Sequence, residues 1–329
     1  MKIIDIIKNG KKFFSLEVSP PPKNKSISNL FNIIEKFLKY DPAFISITYH
    51  PLKITKIKSV PSIVPIDNIT NSEFNKEYYQ KKHAHPLGIS AAIKYKFGIE
   101  VMPHFVCAGM NKSQVEEILT DFSFLGIENV LALRGDPALA NEQFHPIDGG
   151  YRYAEQLVQQ INEMKHSLFM NTEDGFRSLN LCVGVAGYPE KHLDAESMEK
   201  DILNLKNKID AGAEFIITQM CFDFDAFIHW IKLIRAAGIQ APVIPGIKPL
   251  TSVSQLLSLK YKYKINIPEA LEKLITSASN KDEAYDIGIQ QCVETSQRLL
   301  ETDIAGIHYY TMGSGKDIED VVKRINIWK

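Results

Sequence analysis

Short apolar runs alternate with longer amphipathic stretches along most of the chain. The runs are rich in β-branched and aromatic residues, which predicts strands near 13–18, 44–48, 99–104, 129–133, 180–186, 214–219, 243–247 and 306–310. The stretches between them repeat apolar residues at helical spacing, as at Leu30, Ile34 and Phe37, or at Ile202 and Leu205. Strands that alternate with helices in this way are typical of parallel βα units.

Eight βα units in succession favour a closed barrel over an open sheet. An open doubly wound sheet shares the alternation, but it normally carries a glycine-rich first turn at a nucleotide site, which is absent here. The sequence therefore predicts an α/β fold with a single domain over residues 1–329. We expect an eight-stranded parallel βα barrel of the TIM type with a long loop near 50–85.

Composition and charge exclude several classes of partner. The chain has 329 residues, 45% of them apolar, and its 38 Lys and Arg residues balance 39 Asp and Glu residues. This balance provides no basic field for a nucleic acid, so no nucleic-acid partner is expected. No apolar run approaches the ~20 residues of a membrane span, and charged residues interrupt the N-terminal Met1-Lys2-Ile3-Ile4-Asp5 where a signal peptide would be apolar. We expect a cytoplasmic protein without membrane contact.

Cysteine and histidine spacing gives no sign of a metal site or a disulfide framework. The four cysteines, Cys107, Cys182, Cys221 and Cys292, are far apart and form no C-x-x-C pair, so we expect reduced, buried thiols. His83-Ala84-His85 lacks nearby ligands and is interpreted as a plain loop. The chain also lacks the H-E-x-x-H, G-x-S-x-G and G-x-G-x-x-G motifs, which removes the usual zinc-protease, hydrolase and dinucleotide-fold hypotheses.

Polar residues stand at or just beyond the ends of the predicted strands. In a parallel barrel these ends surround one mouth, so the residues there are expected to form a small-molecule site. They are Glu17, Thr48, His104, Arg134, Asp136, Tyr188, Gln219 and Tyr310.

Two of these mouth features, and the polar face of one predicted helix, have both a structural and a functional interpretation. Glu17 interrupts an apolar strand, where burial would raise its pKa toward that of a general acid, but it could also be an ion-paired or solvated strand end. Arg134-Gly135-Asp136-Pro137 could position an anion or a polar ring, or could be a tight turn held by an ion pair. Asp201, Asn204 and Lys208 share one helix face, which is either a solvated surface or part of a site.

Nine short segments occur in a distinctive order between about Phe13 and Thr311. They are Ser15-Leu16-Glu17, Phe44-Ile45-Ser46-Ile47-Thr48-Tyr49, Pro103-His104, Ala132-Leu133-Arg134-Gly135-Asp136, Gly187-Tyr188-Pro189-Glu190-Lys191-His192, Asp201 to Ala213, Ile217-Thr218-Gln219, Ile244-Pro245-Gly246-Ile247 and His308-Tyr309-Tyr310-Thr311. In this order and spacing they resemble the methylenetetrahydrofolate reductase family, in a short, bacterial-type form that consists of the catalytic barrel alone. The resemblance covers nearly the whole chain and implies that no C-terminal regulatory domain is present.

The resemblance implies an enzyme, a flavoprotein oxidoreductase of one-carbon metabolism that feeds methionine synthesis. FAD would lie at the barrel mouth, and NADH or NADPH would give it a hydride and leave. The substrate 5,10-methylenetetrahydrofolate would then take the hydride on the same flavin face and become 5-methyltetrahydrofolate, in a ping-pong cycle. The expected partners are thus the folate and a pyridine nucleotide, and we expect the protein to be a homo-oligomer.

The resemblance also implies roles for individual residues. Glu17 would protonate N10 of the folate and open its five-membered ring to an iminium cation, and Asp136 would favour that cation by its charge; these are the expected catalytic residues. Gln219 and Gln255 would contact the folate together with Glu17 and Asp136. The expected FAD-binding positions are Thr48, Tyr49, His104, Arg134, Gly135, Asp136, Tyr153, Ala154, Tyr188, His192, Ala195, Asp201, Asn204 and Lys208. No metal ligand is expected.

Several positions depart from the family pattern. Met220-Cys221-Phe222 replaces an aromatic run, and Leu259 stands where a phenylalanine often gates the nicotinamide and folate site. Met312-Gly313-Ser314 removes an arginine that helps to hold folate, and Lys316 is a candidate substitute.

Two other functions remain open at this point. One is a barrel lyase or aldolase without flavin, although no Schiff-base lysine or metal cluster is evident at the strand ends. The other is a flavin- or folate-binding barrel without turnover.

Overall fold

The computed structural model describes residues 1–49, 53–55, 78–80, 83–135, 144–166, 178–311 and 313–325. Eight parallel strands close a barrel, and each begins and ends within two residues of its predicted position. They are β1 (Phe13–Val18), β2 (Ile45–Ile47), β5 (Val101–Val106), β6 (Asn129–Leu133), β7 (Cys182–Gly187), β8 (Phe215–Met220), β9 (Val243–Ile247) and β10 (Gly306–Tyr310). Their order around the barrel is β1-β10-β9-β8-β7-β6-β5-β2. The predicted TIM-type barrel is confirmed.

A short antiparallel pair lies within the predicted 50–85 loop. It consists of β3 (Lys53–Thr55) and β4 (Tyr78–Gln80). Most other residues of this stretch lie outside the described ranges, so the long loop stays a prediction.

Helices cover the outside of the barrel and supply its other layer. They are α1 (Ile3–Lys8), α2 (Ser28–Leu38), α3 (Pro86–Phe97), α4 (Lys112–Phe124), α5 (Ala154–Lys165), α6 (Met198–Asp210), α7 (Phe224–Ala236), α8 (Val253–Leu257), the π-helix Ser258–Lys262, α9 (Glu269–Ser277), α10 (Lys281–Leu300) and α11 (Lys316–Ile325). Local polar residues begin several of them, as where the Asn111 side chain accepts from the Gln114 N–H at the start of α4. Within the described ranges, no helix has the length and apolar character needed to cross a bilayer.

The barrel interior changes from apolar to polar along the strand direction. Alternate residues of each strand face inward. Near the strand starts these form a buried cluster of Phe13, Phe44, Met102, Leu131, Cys182, Phe215, Ile217 and Ile244. Two and four residues after Phe13, the same face of β1 presents Ser15 and then Glu17. The acidic group of β1 thus lies at the C-terminal end of the barrel.

Helix α1 closes the opposite end. Its first residue, Ile3, is fully buried in the apolar cluster at the strand starts. The Ile3 N–H donates to the side-chain oxygen of buried Asn129 at 2.7 Å, and the Asn129 amide donates to the Met1 carbonyl at 3.0 Å. These bonds satisfy a polar side chain at the bottom of the barrel and fix the helix across it.

Candidate active site

A cleft of about 410 Å³ opens at the C-terminal ends of the strands. Seven of the eight polar residues expected at this mouth line it, namely Glu17, Thr48, His104, Arg134, Tyr188, Gln219 and Tyr310. Tyr49, Gly135 and His192, expected on the basis of the family resemblance, line it as well. Asp136 lies outside the described residues.

Glu17 stands at the centre of a network of histidines. One carboxylate oxygen, Oε2, lies 3.2 Å from Nε2 of His104 and 3.7 Å from Nε2 of His308. The same nitrogen of His104 is 3.0 Å from Oγ of Ser46. Glu17 lies on β1 and His104 on β5, and both strands pair with β2. The inward curvature of the barrel therefore brings the two side chains together.

Ser15 orients the second histidine. Its Oγ lies 2.7 Å from Nδ1 of His308, and both side chains are fully buried. The two residues are directly paired in the β1–β10 register. When the serine hydroxyl donates to Nδ1, the imidazole proton is on Nε2, which faces Glu17 and has no hydrogen-bond partner among the described residues.

His308 and Ser15 were not predicted as site residues. Both belong to segments that suggested the family, and each lies two residues before a predicted mouth residue, Tyr310 or Glu17. This spacing of two residues could have identified them, because it places Ser15 on the same inward face of its strand as Glu17, and His308 on the same face as Tyr310.

The environment of Glu17 acts on its pKa in two directions. Burial raises the pKa of the carboxyl group, but the charge and hydrogen bonding of His104, with a further contribution from His308, lower it to about 2. Burial also lowers the pKa of His308. At neutral pH Glu17 is therefore a carboxylate in the structure without substrate.

A β-bulge turns two consecutive side chains toward the cleft. Between β8 and β9 the register shifts after Ile217, so that Met220 pairs with Gly246. The extra residue bends the strand, and both Gln219 and Met220 line the cleft. The Gln219 side-chain oxygen accepts from the Met220 N–H at 2.9 Å, which leaves its amide NH₂ group for a ligand.

Tyr310 crosses the barrel mouth above Gly246. Its hydroxyl donates to the Thr218 carbonyl at 2.8 Å. A Cβ on Gly246 would lie 2.3 Å from that carbonyl oxygen and 2.5 Å from the Tyr310 ring. Position 246 therefore requires glycine, because a side chain there would overlap the Thr218 carbonyl and the Tyr310 ring.

Cationic and hydrogen-bonding groups line the wall formed by β6, β7 and α6. Arg134 forms an ion pair with Asp194 at 2.6 Å, a partner that sequence spacing did not suggest. Asp201 accepts from the His192 N–H at 3.0 Å. Lys208 donates to the Ala186 carbonyl at 2.7 Å.

Two of the three polar α6 residues therefore bond to the backbone of residues that line the cleft, although neither belongs to the described lining itself. The Nζ of Lys208 lies 6.0 Å from the ring centroid of Tyr188, and burial lowers the pKa of this lysine to about 8. Asn204, in contrast, is exposed. The interpretation of this helix face as a purely solvated surface fails for Asp201 and Lys208.

Other expected residues are not part of the cleft lining. Tyr153 is half exposed immediately before α5, which begins at Ala154, and Ala195 is buried. The side-chain oxygen of Gln255 accepts from the Thr251 N–H at 3.1 Å, an arrangement that caps the start of α8. Their roles in binding stay predictions.

Burial keeps the cysteine thiols protonated at neutral pH. Burial raises the pKa of Cys107 to about 11 and those of Cys221 and Cys292 to about 12. In the parts of the chain that the structure describes, no group of three or more His, Cys, Asp or Glu side chains is arranged to hold a metal ion.

Comparison with known proteins gives the family to which this chain belongs. A family model described as methylenetetrahydrofolate reductase matches residues 2–326. The chain belongs to the methylenetetrahydrofolate reductase family. Methylenetetrahydrofolate reductase 2 of Saccharomyces cerevisiae is 31% identical over 97% of this chain and 48% of its own length. The 5,10-methylenetetrahydrofolate reductase of Pectobacterium carotovorum is 26% identical over 92% of this chain and 86% of its own length.

The chain spans about half the length of the yeast methylenetetrahydrofolate reductase and of the plant relatives that it matches. Among solved structures, the fold is similar to a protein from Clostridium thermocellum described as binding two copies of 5-methyl-5,6,7,8-tetrahydrofolic acid. The TM-score is 0.59, with 14% identity over 97% of this chain and 95% of the other. This likeness supports the barrel fold.

The donor set at the mouth fits the flavin that membership of the methylenetetrahydrofolate reductase family implies. Lys208 places positive charge beside this wall, where a diphosphate could lie, whereas the charge of Arg134 is paired with Asp194; the Asp201 carboxylate can accept from hydroxyl groups. The Tyr188 and His192 rings, with centroids 4.6 Å apart, add flat surface beside them.

Proposed function

We propose that this protein is a flavin-dependent reductase that converts 5,10-methylenetetrahydrofolate to 5-methyltetrahydrofolate with a pyridine nucleotide as hydride donor. The observation that carries the proposal is the Glu17 carboxylate, held between His104 and His308 at the mouth of a barrel of this family. A carboxyl group in this place can supply the proton that folate activation needs.

Arg134, Tyr188, His192, Asp201 and Lys208 would hold FAD along the β6–β7–α6 wall. The flavin, when bound, supplies hydride transfer between the pyridine nucleotide and the folate. Lys208 would carry its charge beside the diphosphate, because an anion there offsets the burial that lowers its pKa.

Glu17 would protonate N10 of the folate. At neutral pH it is a carboxylate before substrate binds, so the proton must be taken up as the complex forms. A pterin that displaces water from the cleft would strengthen the burial effect, which raises the pKa of the carboxyl group. His104 and His308 would keep the carboxylate oriented.

Gln219 would hold the pterin through its free amide group. Its side-chain oxygen already accepts from the Met220 N–H, which fixes the direction of its amide nitrogen. We propose the same substrate contact for Asp136, on the family resemblance alone.

The substitution Glu17→Gln tests this function. We expect FAD uptake and NADH oxidation by the flavin to be largely retained and folate reduction to be abolished, because the amide keeps the shape but cannot supply the proton. Each half-reaction is measured separately by stopped-flow absorbance. Equal loss of both half-reactions would mean that Glu17 has another role.

The unmodified protein serves as the control and separates the alternatives. A yellow protein that NADH bleaches and the folate reoxidises supports the reductase. A protein that binds flavin but shows no turnover with the folate would be a binding barrel, and one that takes up no FAD would point to a lyase or aldolase. A cytoplasmic location and a homo-oligomeric state stay predictions of the sequence.

A further inference from the structure

The loop between β7 and α6 carries a lysine that the proposed chemistry does not use. Residues 188–195 read Tyr-Pro-Glu-Lys-His-Leu-Asp-Ala, and we call them the β7–α6 loop. Tyr188 and His192 of this loop line the cleft, whereas Lys191, which stands between them in the sequence, does not. Lys191 is nevertheless partly buried, and its side chain has defined partners. Any effect of this lysine on the cleft must therefore act through the loop.

The Lys191 side chain folds back onto its own loop. Its Nζ donates to the Ala195 carbonyl at 2.6 Å and to the His192 carbonyl at 3.1 Å. One ammonium group thus connects the middle of the loop with its end. Hydrogen bonds from a charged donor are stronger than those between neutral groups. The side chain therefore closes the loop on itself shortly before α6 begins.

The backbone of Lys191 has a conformation that a lysine rarely adopts. Its φ is 72°, in the left-handed region where a residue with a side chain is strained. The Lys191 N–H donates to the Tyr188 carbonyl at 3.1 Å, which closes a turn over residues 188–191. Glycine would adopt this φ without strain, but it has no side chain to reach the Ala195 and His192 carbonyls. The contacts of Nζ therefore offset a strained backbone.

The turn that ends at Lys191 fixes the ring of His192. The Asp194 N–H donates to Nδ1 of His192 at 3.0 Å, so the neutral imidazole carries its proton on Nε2. Burial lowers the pKa of His192, which favours this neutral form. The Asp201 carboxylate accepts from the His192 N–H, and the His192 ring lies edge-on to that of Tyr188. The two rings that line the cleft are thus held by the loop as one unit.

We propose that Lys191 is a positioning residue that pre-forms the β7–α6 loop for the flavin nucleotide, and that its Nζ contacts set the affinity for FAD. The inference rests on the proposed function, because FAD would bind against Tyr188 and His192 on this wall. A loop that already has its bound shape loses less conformational entropy when the ligand binds. Without the Nζ contacts, part of the binding energy would be used to order the loop.

Titration of the apoprotein with FAD, followed by flavin fluorescence, tests this role. Lys191→Met keeps a long side chain and removes its donors. We expect the dissociation constant of FAD to rise about 5- to 30-fold, as for the loss of two hydrogen bonds that hold the bound conformation. Lys191→Arg keeps a cationic donor and should bind FAD nearly as tightly as the unmodified protein.

Lys191→Gly separates the Nζ contacts from the backbone strain. Glycine relieves the left-handed conformation, so the free energy of unfolding of the apoprotein should be at least that of Lys191→Met. The dissociation constant of FAD should nevertheless rise at least as much, because the donors are absent. A purely structural role would instead lower the stability of Lys191→Met and leave the dissociation constant unchanged.

Lys200→Met is the matched control, because Lys200 is an exposed lysine in the first turn of α6. It should change neither the dissociation constant of FAD nor the stability. If the unmodified protein binds FAD and Lys191→Met or Lys191→Gly binds it equally well, the positioning role is wrong while the reductase proposal stands. If the unmodified protein takes up no FAD, the proposed function and this inference are both overturned.

Discussion

At the scale of single residues, the barrel interior is a series of alternating inward positions on which polarity rises toward the mouth. On β1 the order is Phe13, Ser15, Glu17, and on the neighbouring β10 His308 precedes Tyr310. Side chains on neighbouring strands contact one another here, as in the Ser15–His308 contact of 2.7 Å. The acid–base behaviour of Glu17 therefore depends on residues nearly 300 positions away in the sequence.

Replacing His308 should shift the pH dependence of the folate step. His308→Gln removes an imidazole that lowers the pKa of Glu17, so that pKa rises and the protonated form persists to higher pH. We expect the pH profile of folate reduction to move upward by roughly half to one pH unit, the equivalent of an electrostatic interaction worth about 1 kcal/mol. Stopped-flow rates measured across pH check this.

The NADH half-reaction is the internal control for this variant. It does not use the Glu17 proton, so its pH profile should stay in place. A profile for folate reduction that is unchanged, or that moves downward, would show that His308 does not act through Glu17.

At the scale of elements, contacts between strand ends and helix starts shape the site. The bulge between β8 and β9 presents Gln219 and Met220 together, and Gly246 leaves room for the Tyr310 ring. Just after β9, Lys248 forms an ion pair with Asp317 of α11 at 3.0 Å, with only 1% and 11% of the two side chains exposed. This pair connects the end of β9 with α11.

Breaking this pair should be costly. Lys248→Met leaves the Asp317 carboxylate buried without its partner, and we expect the free energy of unfolding to fall by about 3–5 kcal/mol. Urea denaturation measures the loss. The double variant Lys248→Met, Asp317→Leu should recover most of it, because two apolar side chains need no charge partner; a single variant as stable as the unmodified protein would contradict the buried pair.

At the scale of the whole molecule, the barrel separates stability from chemistry along its axis. The strand starts are filled by apolar side chains and closed by α1, whereas the strand ends hold the titratable groups. This division is general for parallel barrels. Substitutions at the bottom should therefore act on folding and leave the site chemistry intact.

Ile3→Ala tests the separation. The residue is fully buried at the closed end, so its truncation should lower the free energy of unfolding by about 2–5 kcal/mol. The rates of both half-reactions, measured well below the unfolding temperature, should stay unchanged. Leu274→Ala on α9 is the control, because Leu274 is 48% exposed and should change stability little; a loss of activity in Ile3→Ala without loss of stability would contradict the division.

The sequence by itself determined the strand positions, the barrel and most of the mouth. Alternating hydrophobicity is a local property, and strand ends in a parallel barrel converge whatever residues they carry, so Glu17, His104 and Gln219 could be predicted to share one cleft. The family resemblance added the chemical roles of these residues. It also directed attention to the α6 face, where Asp201 and Lys208 bond to the backbone of cleft-lining residues while Asn204 remains exposed.

Only the tertiary structure decided which groups touch. The Ser15–His308–Glu17 contacts and the Arg134–Asp194 ion pair depend on strand register and loop conformation, neither of which is encoded in a local pattern. Such contacts join distant positions through small offsets of the backbone. A shift of one residue in register would turn Ser15 and Glu17 to the outer face of the barrel, and the site would be lost.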